Sequence, residues 1–490
     1  MPSIKRNLVY NFTLSVSQVF LPLLSIPYIS RVLDPAGIGE VSFIDSFTFY
    51  FISIAEFGIV VYGMREVARL RNEPEKKYKL VSELIFLHII SSTVTLVLYG
   101  ISIFFIWHKI HDTRILYFSL SYLLVNFFAC EWYFLGMERF RYITFRSILS
   151  RVLGLVCIYL LIKQPSDYFI YYAIIASSAI LNSLWNIYLL FKEVPVSFKK
   201  IDWQRHIPKL RITYFISLVY GITLLLDNVL LRIVSTASAV GYYAFSVKIV
   251  RISTTLLSDS LQVFFPRIVS FLKENNQKQV QLMITRNLQL LILFSVPICA
   301  GVFLLSEPLV VIFLGKQFIP ATDNLRILSA FPLLKSYNHF LSKQVLISHN
   351  RERLYLNSLI VTSLVFVVLM LILSYKYADS GASYAIMLAE VLLLLINFYY
   401  VRKTSVHLNV FDMRTFIDAL IGASLFIPIV YLIRNLTPSP LGILLISIGA
   451  CVIVYIVVQS YVLRNDFMLV VKDTIFRRGK KFINSIHKLW

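Results

Sequence analysis

The chain has 490 residues, 58% of them hydrophobic and 15% charged, with a formal net charge of +21. A soluble domain carries roughly 25% charged residues, and the mean hydropathy here is +0.74. These values exclude an ordinary soluble enzyme and predict an all-α polytopic membrane protein. The excess positive charge follows from loop topology, not from nucleic-acid binding.

In chain order, apolar runs of the ~17–25 residues that cross a bilayer predict about 14 transmembrane helices. They fall at 8–30, 41–62, 80–106, 115–135, 147–162, 168–191, 212–231, 241–265, 287–306, 321–342, 355–374, 380–401, 415–433 and 441–463. The first contains Pro22 and Pro27, ends at Arg31 and runs into the tight turn Asp34-Pro35-Ala36-Gly37. Its stripe of Asn11, Ser15, Gln18, Pro22 and Ser25 suits either a cavity wall or helix packing through small residues. The second span carries Asp45 and Glu56 about 20° apart on the helical wheel. The tenth is interrupted by Asp323, Arg326, Lys335 and His339.

Charge alternates from loop to loop. The side bearing the termini collects 34 Lys and Arg residues. The other side has 8, namely Arg31, Lys109, Arg114, Lys163, Arg232, Lys316, Lys376 and Arg434. By the positive-inside rule both termini are cytoplasmic. The first apolar run is long, contains prolines and lacks a small-residue cleavage site, so no cleavable signal peptide is expected. The longest connection, Lys192 to Arg211, has about 20 residues, too short for an extramembrane catalytic domain. The basic tail, 464–490, reads as an amphipathic helix on the anionic inner leaflet or as a partner-docking helix.

Cys130, Cys157, Cys299 and Cys451 lie in apolar runs without metal-ligand spacing and read as small buried hydrophobes. The chain has no Walker-type phosphate loop, HExxH or GxSxG motif. No cofactor or metal is expected, and no catalytic residue. One internal echo stands out. Ser30-Arg31-Val32-Leu33 with Gly39, Val41 and Phe43 recurs 201–202 residues later as Leu231-Arg232-Ile233-Val234 with Gly241, Tyr243 and Phe245. Repeated halves with a site between them are a transporter architecture.

Charges inside the spans segregate. The first six spans hold Asp45, Glu56, Glu83 and Glu131 against Arg151. The next six hold the cations Lys248, Arg251, Arg326 and Lys335, with Asp227, Asp259 and Glu390 among their acids. In the eighth span Lys248, Arg251, Thr255, Asp259 and Gln262 fall on one narrow stripe. Each central charge costs about 2.5–3.5 kcal/mol on insertion scales, so this stripe faces protein or water. Two readings stand: ion pairs between helices, such as with Asp227, or cations lining a cavity.

The segments PYISRVLDPAGIGEVSF (Pro27–Phe43) and YFISIAEFGIVVYGMREVARLR (Tyr50–Arg71) resemble the polysaccharide-exporter branch of the multidrug/oligosaccharidyl-lipid/polysaccharide flippase superfamily. Within it they are most similar to the Wzx-type O-antigen repeat-unit flippases. The resemblance implies two six-helix bundles, 1–191 and 212–403, joined by a cytoplasmic linker, 192–211. Helices 13–14 (404–463) are left as a C-terminal pair, peripheral or part of a lipid groove.

The implied activity is export of polyprenyl-diphosphate-linked oligosaccharide across a bacterial inner membrane. The partners expected are the lipid substrate, the bilayer, and polymerase and chain-length regulator proteins, with a monomeric transporter and no nucleic acid. On this reading Lys248, Arg251, Arg326, Lys335 and Arg31 meet the anionic substrate. Asp45, Glu56, Glu131, Asp227 and Asp259 bind a coupling H⁺ or Na⁺. Arg31 stands at a helix end or gate, and Arg65 lies in a cytoplasmic loop. Multidrug extrusion of organic cations is disfavoured by the basic second half. A membrane polymerase or ligase is disfavoured by the short loops, and a passive scaffold by buried charges of both signs.

Overall fold

The computed structural model describes residues 4–199, 201–262, 264–403 and 408–465, and no strand occurs among them. In chain order the helices are α1 (Ile4–Val32), α2 (Pro35–Ala55), α3 (Ile59–Arg69), α4 (Pro74–Ile106), α5 (Thr113–Asn126), α6 (Glu131–Gly136) and α7 (Phe140–Leu161). There follow α8 (Tyr168–Glu193), α9 (Ile207–Leu225), α10 (Asp227–Val234), α11 (Ala237–Gln262), α12 (Phe265–Lys273), α13 (Gln277–Leu304) and α14 (Ser306–Phe313). The last are α15 (Ala321–Ile327), α16 (Phe331–His339), α17 (Glu352–Lys403), α18 (Met413–Ser424), α19 (Phe426–Leu436) and α20 (Pro440–Val457).

Local chemistry sets the boundaries. The Asp34 carboxylate caps α2 by accepting the Gly37 N–H at 2.7 Å, and Pro35 occupies the first turn, where no amide donor is needed. Asp112, Asn276, Asp412 and Ser439 cap α5, α13, α18 and α20 in the same way. Phe57 and Gly58 take positive φ of 49° and 73° and separate α2 from α3. Ala378, with φ 50°, divides α17 into two arms.

Nine helices among the described residues are long and apolar enough to cross a membrane. They become ten if α9 and α10, bent by 47° at Leu226, make one span. The other predicted spans fall on helices of different character. The fourth is broken between α5 and α6, and the eighth, α11, carries the polar stripe. The tenth is divided into α15, a short 3-10 turn and α16, followed by a π turn at Phe340–Ile347. The eleventh and twelfth are the two arms of α17, which is itself one of the nine.

The chain forms two compact units. The first comprises the described residues of Met1–Ala244, Phe313–Phe318 and Leu359–Ile386. Its apolar core gathers Tyr62, Leu84, Trp132, Tyr133 and Phe134 from α3, α4 and α6. The second comprises the described residues of Phe245–Ile312, Ile319–Ser358 and Met387–Trp490. Its core is built on α13, with Leu288, Leu291 and Ile292 packed among Phe340, Leu341 and Ala419. Residues α11 and α17 contribute are shared between the two units. Lys200, His407 and the tail from residue 466 lie outside the described residues, as do the side chains of Asn11, Asp259 and Gln262.

Candidate functional site

The second unit carries the cations. Because α11 is one unbroken helix, Lys248, Arg251 and Thr255 keep their common face. Lys248 is half-buried, with Nζ 5.8 Å from the centre of the Phe245 ring, and makes no ion pair among the described residues. Arg251 is half-buried one turn further on, and its carbonyl accepts the Thr255 hydroxyl at 2.9 Å.

The other two predicted cavity cations are paired. Lys335 Nζ lies 2.6 Å from Glu390 Oε1, and Asn338 donates to Glu390 Oε2 at 2.8 Å. Glu390 is 4% exposed, so the pair is deeply placed. Arg326 lies 3.1 Å from Asp323 on the same exposed face of α15. Exposed pairs of this kind contribute about 0–1 kcal/mol. Arg326→Ala should therefore leave the thermal unfolding midpoint of the purified protein nearly unchanged.

Near Lys248 the same helix borders an apolar cavity of about 740 Å³. Ile249 and Ser253 of α11 line it with Pro297 and Gly301 of α13, Phe426 of α19 and Ile448 of α20. Pro297 has no amide hydrogen, so the carbonyl of Leu293, four residues earlier, loses its helical donor. The Tyr455 hydroxyl takes that place at 2.8 Å and ties α20 to α13 along the cavity wall. A Cβ at Gly301 would meet nothing within 4 Å, so this position opens onto the cavity.

The first unit carries the acids. Asp45 is half-buried in α2, and Asp45 and Glu56 both lie within electrostatic reach of the Tyr122 phenol. Glu56 is in turn an electrostatic neighbour of Glu131. Glu131 pairs with Arg146, which is 2% exposed and also donates to Asn186. The predicted fifth span, 147–162, leaves Arg146 among the 34 loop cations of the terminus side. Arg146 is instead a buried residue of α7, because a carboxylate and an amide inside the unit compensate its charge. Arg151 donates to Ser17 at 3.0 Å.

Asp227 is fully buried at the start of α10, where the break after Leu226 exposes backbone donors. Its carboxylate accepts the Asn228 N–H at 2.8 Å and the Tyr243 hydroxyl at 3.2 Å. Asn228 reaches Ser46, beside Asp45, at 2.9 Å.

Arg31 ends α1 exposed, donating from Nη1 to the Pro27 carbonyl at 2.6 Å, with its stem against Gly315. Arg65 is exposed on α3, 3.7 Å from Glu66. Its neighbour Gly63 has the tighter role. A Cβ there would stand 2.6 Å from the Trp132 ring, so glycine lets α3 lie against α6.

A further charged cluster was not singled out from the sequence. Arg232 Nη2 donates to Glu40 Oε1 at 2.9 Å and to the Lys109 carbonyl at 3.0 Å. His111 Nδ1 stands 3.0 Å from the same Glu40 oxygen. Glu40 and Arg232 are both nearly inaccessible. They border a polar cavity of about 560 Å³ that Asp34, His111, Ser166 and Ser235 also line. These four come from loops that the charge alternation assigns to one side. The pair escaped sequence reading because 192 residues separate its members. The internal echo was the available signal, since Arg232 and Gly39 both belong to it.

The fold is that of known membrane transporters. The chain aligns with the solved structure of the lipid II flippase MurJ, inward closed conformation, at a TM-score of 0.70 and 17% identity, covering 94% of this chain and 99% of that one. An inward-facing multidrug resistance MATE family transporter of the MOP superfamily aligns at 0.60 and 15% identity, over 81% of this chain and 99% of that one.

The chain belongs to the polysaccharide biosynthesis protein family, whose model matches residues 4–272, more than half of its length. Two relatives share the name "Putative O-antigen transporter". The Escherichia coli (strain K12) protein is 25% identical over 407 residues, covering 82% of this chain and 97% of the relative. The Shigella dysenteriae protein is 23% identical over 398 residues, covering 80% and 98%.

Proposed function

We propose that this protein is a flippase for polyprenyl-diphosphate-linked oligosaccharide, carrying repeat units of O-antigen or a related polysaccharide from the cytoplasmic to the periplasmic leaflet. The observation that carries the reading is the pairing of chemistries on α11. Lys248 and Arg251 offer positive charge a turn or less from Ile249 and Ser253, which open onto the apolar cavity. An amphipathic lipid fits that arrangement. Its diphosphate meets the cations, its polyprenyl tail lies in the cavity against α13 and α20, and its sugars stay in water. The names of the relatives and of the MurJ neighbour support the same reading.

The acids of the first unit are the sites for a coupling H⁺ or Na⁺, which drives alternating access. The topology that goes with this has fourteen spans and both termini in the cytoplasm of a bacterial inner membrane. Its bundles are 1–191 and 212–403, with the linker, C-terminal pair and tail placed as above. The protein makes and breaks no covalent bond. It acts as a monomer alongside polymerase and chain-length regulator proteins.

Vesicles reconstituted with the purified protein and a polyprenyl-diphosphate-linked oligosaccharide confined to one leaflet test this. The reading expects lectin-accessible sugar to appear on the opposite leaflet. Sugar that stays where it was placed, with correctly folded protein present, would overturn it. Gly301→Leu sharpens the test, because a Cβ there meets nothing within 4 Å and the new side chain takes up part of the cavity. It should leave the unfolding midpoint no lower than the parent's, since glycine inside a helix costs about 0.5–1 kcal/mol, while lowering polyprenyl-lipid binding and translocation.

A further inference from the structure

The echo in the sequence has a physical counterpart in the first unit. A Cβ at Gly39 would lie 1.8 Å from the Ala237 carbonyl oxygen. A Cβ at Gly241 would lie 2.0 Å from the Pro35 carbonyl oxygen. Gly39 and Gly241 stand 202 residues apart, as do Pro35 and Ala237. The contact is therefore reciprocal, which is the signature of a two-fold-related interface. The caps repeat as well. Asp34 accepts from the Gly37 amide at 2.7 Å, and Thr236, 202 residues on, accepts from the Ala239 amide at 3.3 Å. The starts of α2 and α11 thus cross backbone to backbone, which only glycine at both positions allows.

One asymmetric feature fastens this symmetric crossing. Glu40 follows Gly39 on α2, Arg232 lies in α10 just before α11, and their 2.9 Å ion pair spans the crossing with His111 beside it. The polar cavity of about 560 Å³ adjoins the pair. A buried ion pair gains little net free energy over its hydrated partners, because attraction and desolvation nearly cancel. Next to water it can separate at small net cost, whereas a close backbone crossing is either made or lost.

We propose that the Gly39–Gly241 crossing with the Glu40–Arg232 pair is a releasable latch that seals the non-cytoplasmic end of the transport path. The proposal rests on the orientation and alternating access given under the proposed function. When the latch is closed, α2 and α11 leave no room for a headgroup between their first turns. When it opens, Glu40 and Arg232 hydrate separately and the path is continuous with the outside.

The test needs no substrate. Ser42 sits on α2 one turn beyond Gly39 and is half-buried. In a background with the four native cysteines replaced, Ser42→Cys reports whether the crossing is open to a membrane-impermeant maleimide in intact spheroplasts. The proposal expects slow labelling with the latch intact. Arg232→Gln should raise the rate on the order of tenfold, the usual scale of coupling between two states. Gly241→Ala, which leaves the charges in place, should raise it too.

Protein level and a monodisperse elution profile establish that each variant is folded. Equal labelling in all of these folded proteins would overturn the latch. Labelling that responds to the substitutions only in inside-out vesicles would keep the latch and contradict the orientation of the proposed function.

Discussion

Removing the Lys335 side chain is expected to destabilise the protein by about 3–5 kcal/mol, the usual result of leaving one member of a buried ion pair unpaired. Glu390 is 4% exposed and holds Lys335 at 2.6 Å and Asn338 at 2.8 Å. Lys335→Ala leaves that carboxylate charged in a low-dielectric interior with one neutral donor. Replacing both partners, as Lys335→Met with Glu390→Leu, removes the unpaired charge and should return stability close to the parent value. Unfolding midpoints of purified protein in detergent measure both. The double variant also decides what Lys335 does. If it exports polysaccharide normally, the ion pair serves architecture and the substrate cations lie elsewhere. If it is stable but inactive, Lys335 meets the substrate.

The second large effect falls on α11. Lys248→Ala with Arg251→Ala is expected to cut export on the order of a hundredfold or more at unchanged protein level. Hydrogen bonds to charged groups contribute about 1.5–3 kcal/mol each, and two are lost together. Lys248 makes no ion pair among the described residues, so its removal leaves no stranded carboxylate there. That separates Lys248→Ala from Lys335→Ala, where loss of activity would follow loss of fold. Surface polysaccharide per cell, normalised to transporter in the membrane, is the quantity to compare. Export that survives both substitutions would remove the cations of α11 from the mechanism.

The all-helical, membrane-spanning character was legible in the sequence because hydropathy over some twenty residues integrates a property that lipid enforces, but the break at Phe57–Gly58 inside the predicted span 41–62 was not. The interruption of the tenth span was legible. The polar residues 323–339 announced a span that the structure divides into α15, a turn and α16. The echo around Gly39 and Gly241 was visible as letters, and it turns out to mark a reciprocal backbone crossing.

Partner choice was not legible. Arg146 looked like a loop cation, and its burial depends on Glu131 and Asn186, which reach it from α6 and α8. Arg232 reads from the sequence as an outer-loop charge, whereas in the structure it is buried against Glu40. Lys335 and Lys248 share a residue type and a half of the chain, yet Lys335 is paired with Glu390 and Lys248 makes no ion pair among the described residues. Helical spacing fixes which residues share a face. What stands opposite that face is set by the tertiary path, which the one-dimensional pattern does not contain.

The central claim is that translocation of a lipid-linked repeat unit is this protein's step. The most direct measurement is the sidedness of that repeat unit in cells lacking the protein, probed with a membrane-impermeant lectin in intact and lysed spheroplasts. The account predicts repeat units that accumulate facing the cytoplasm and become accessible only on lysis. Single repeat units accumulating on the periplasmic face would contradict it, because translocation would then proceed without this chain.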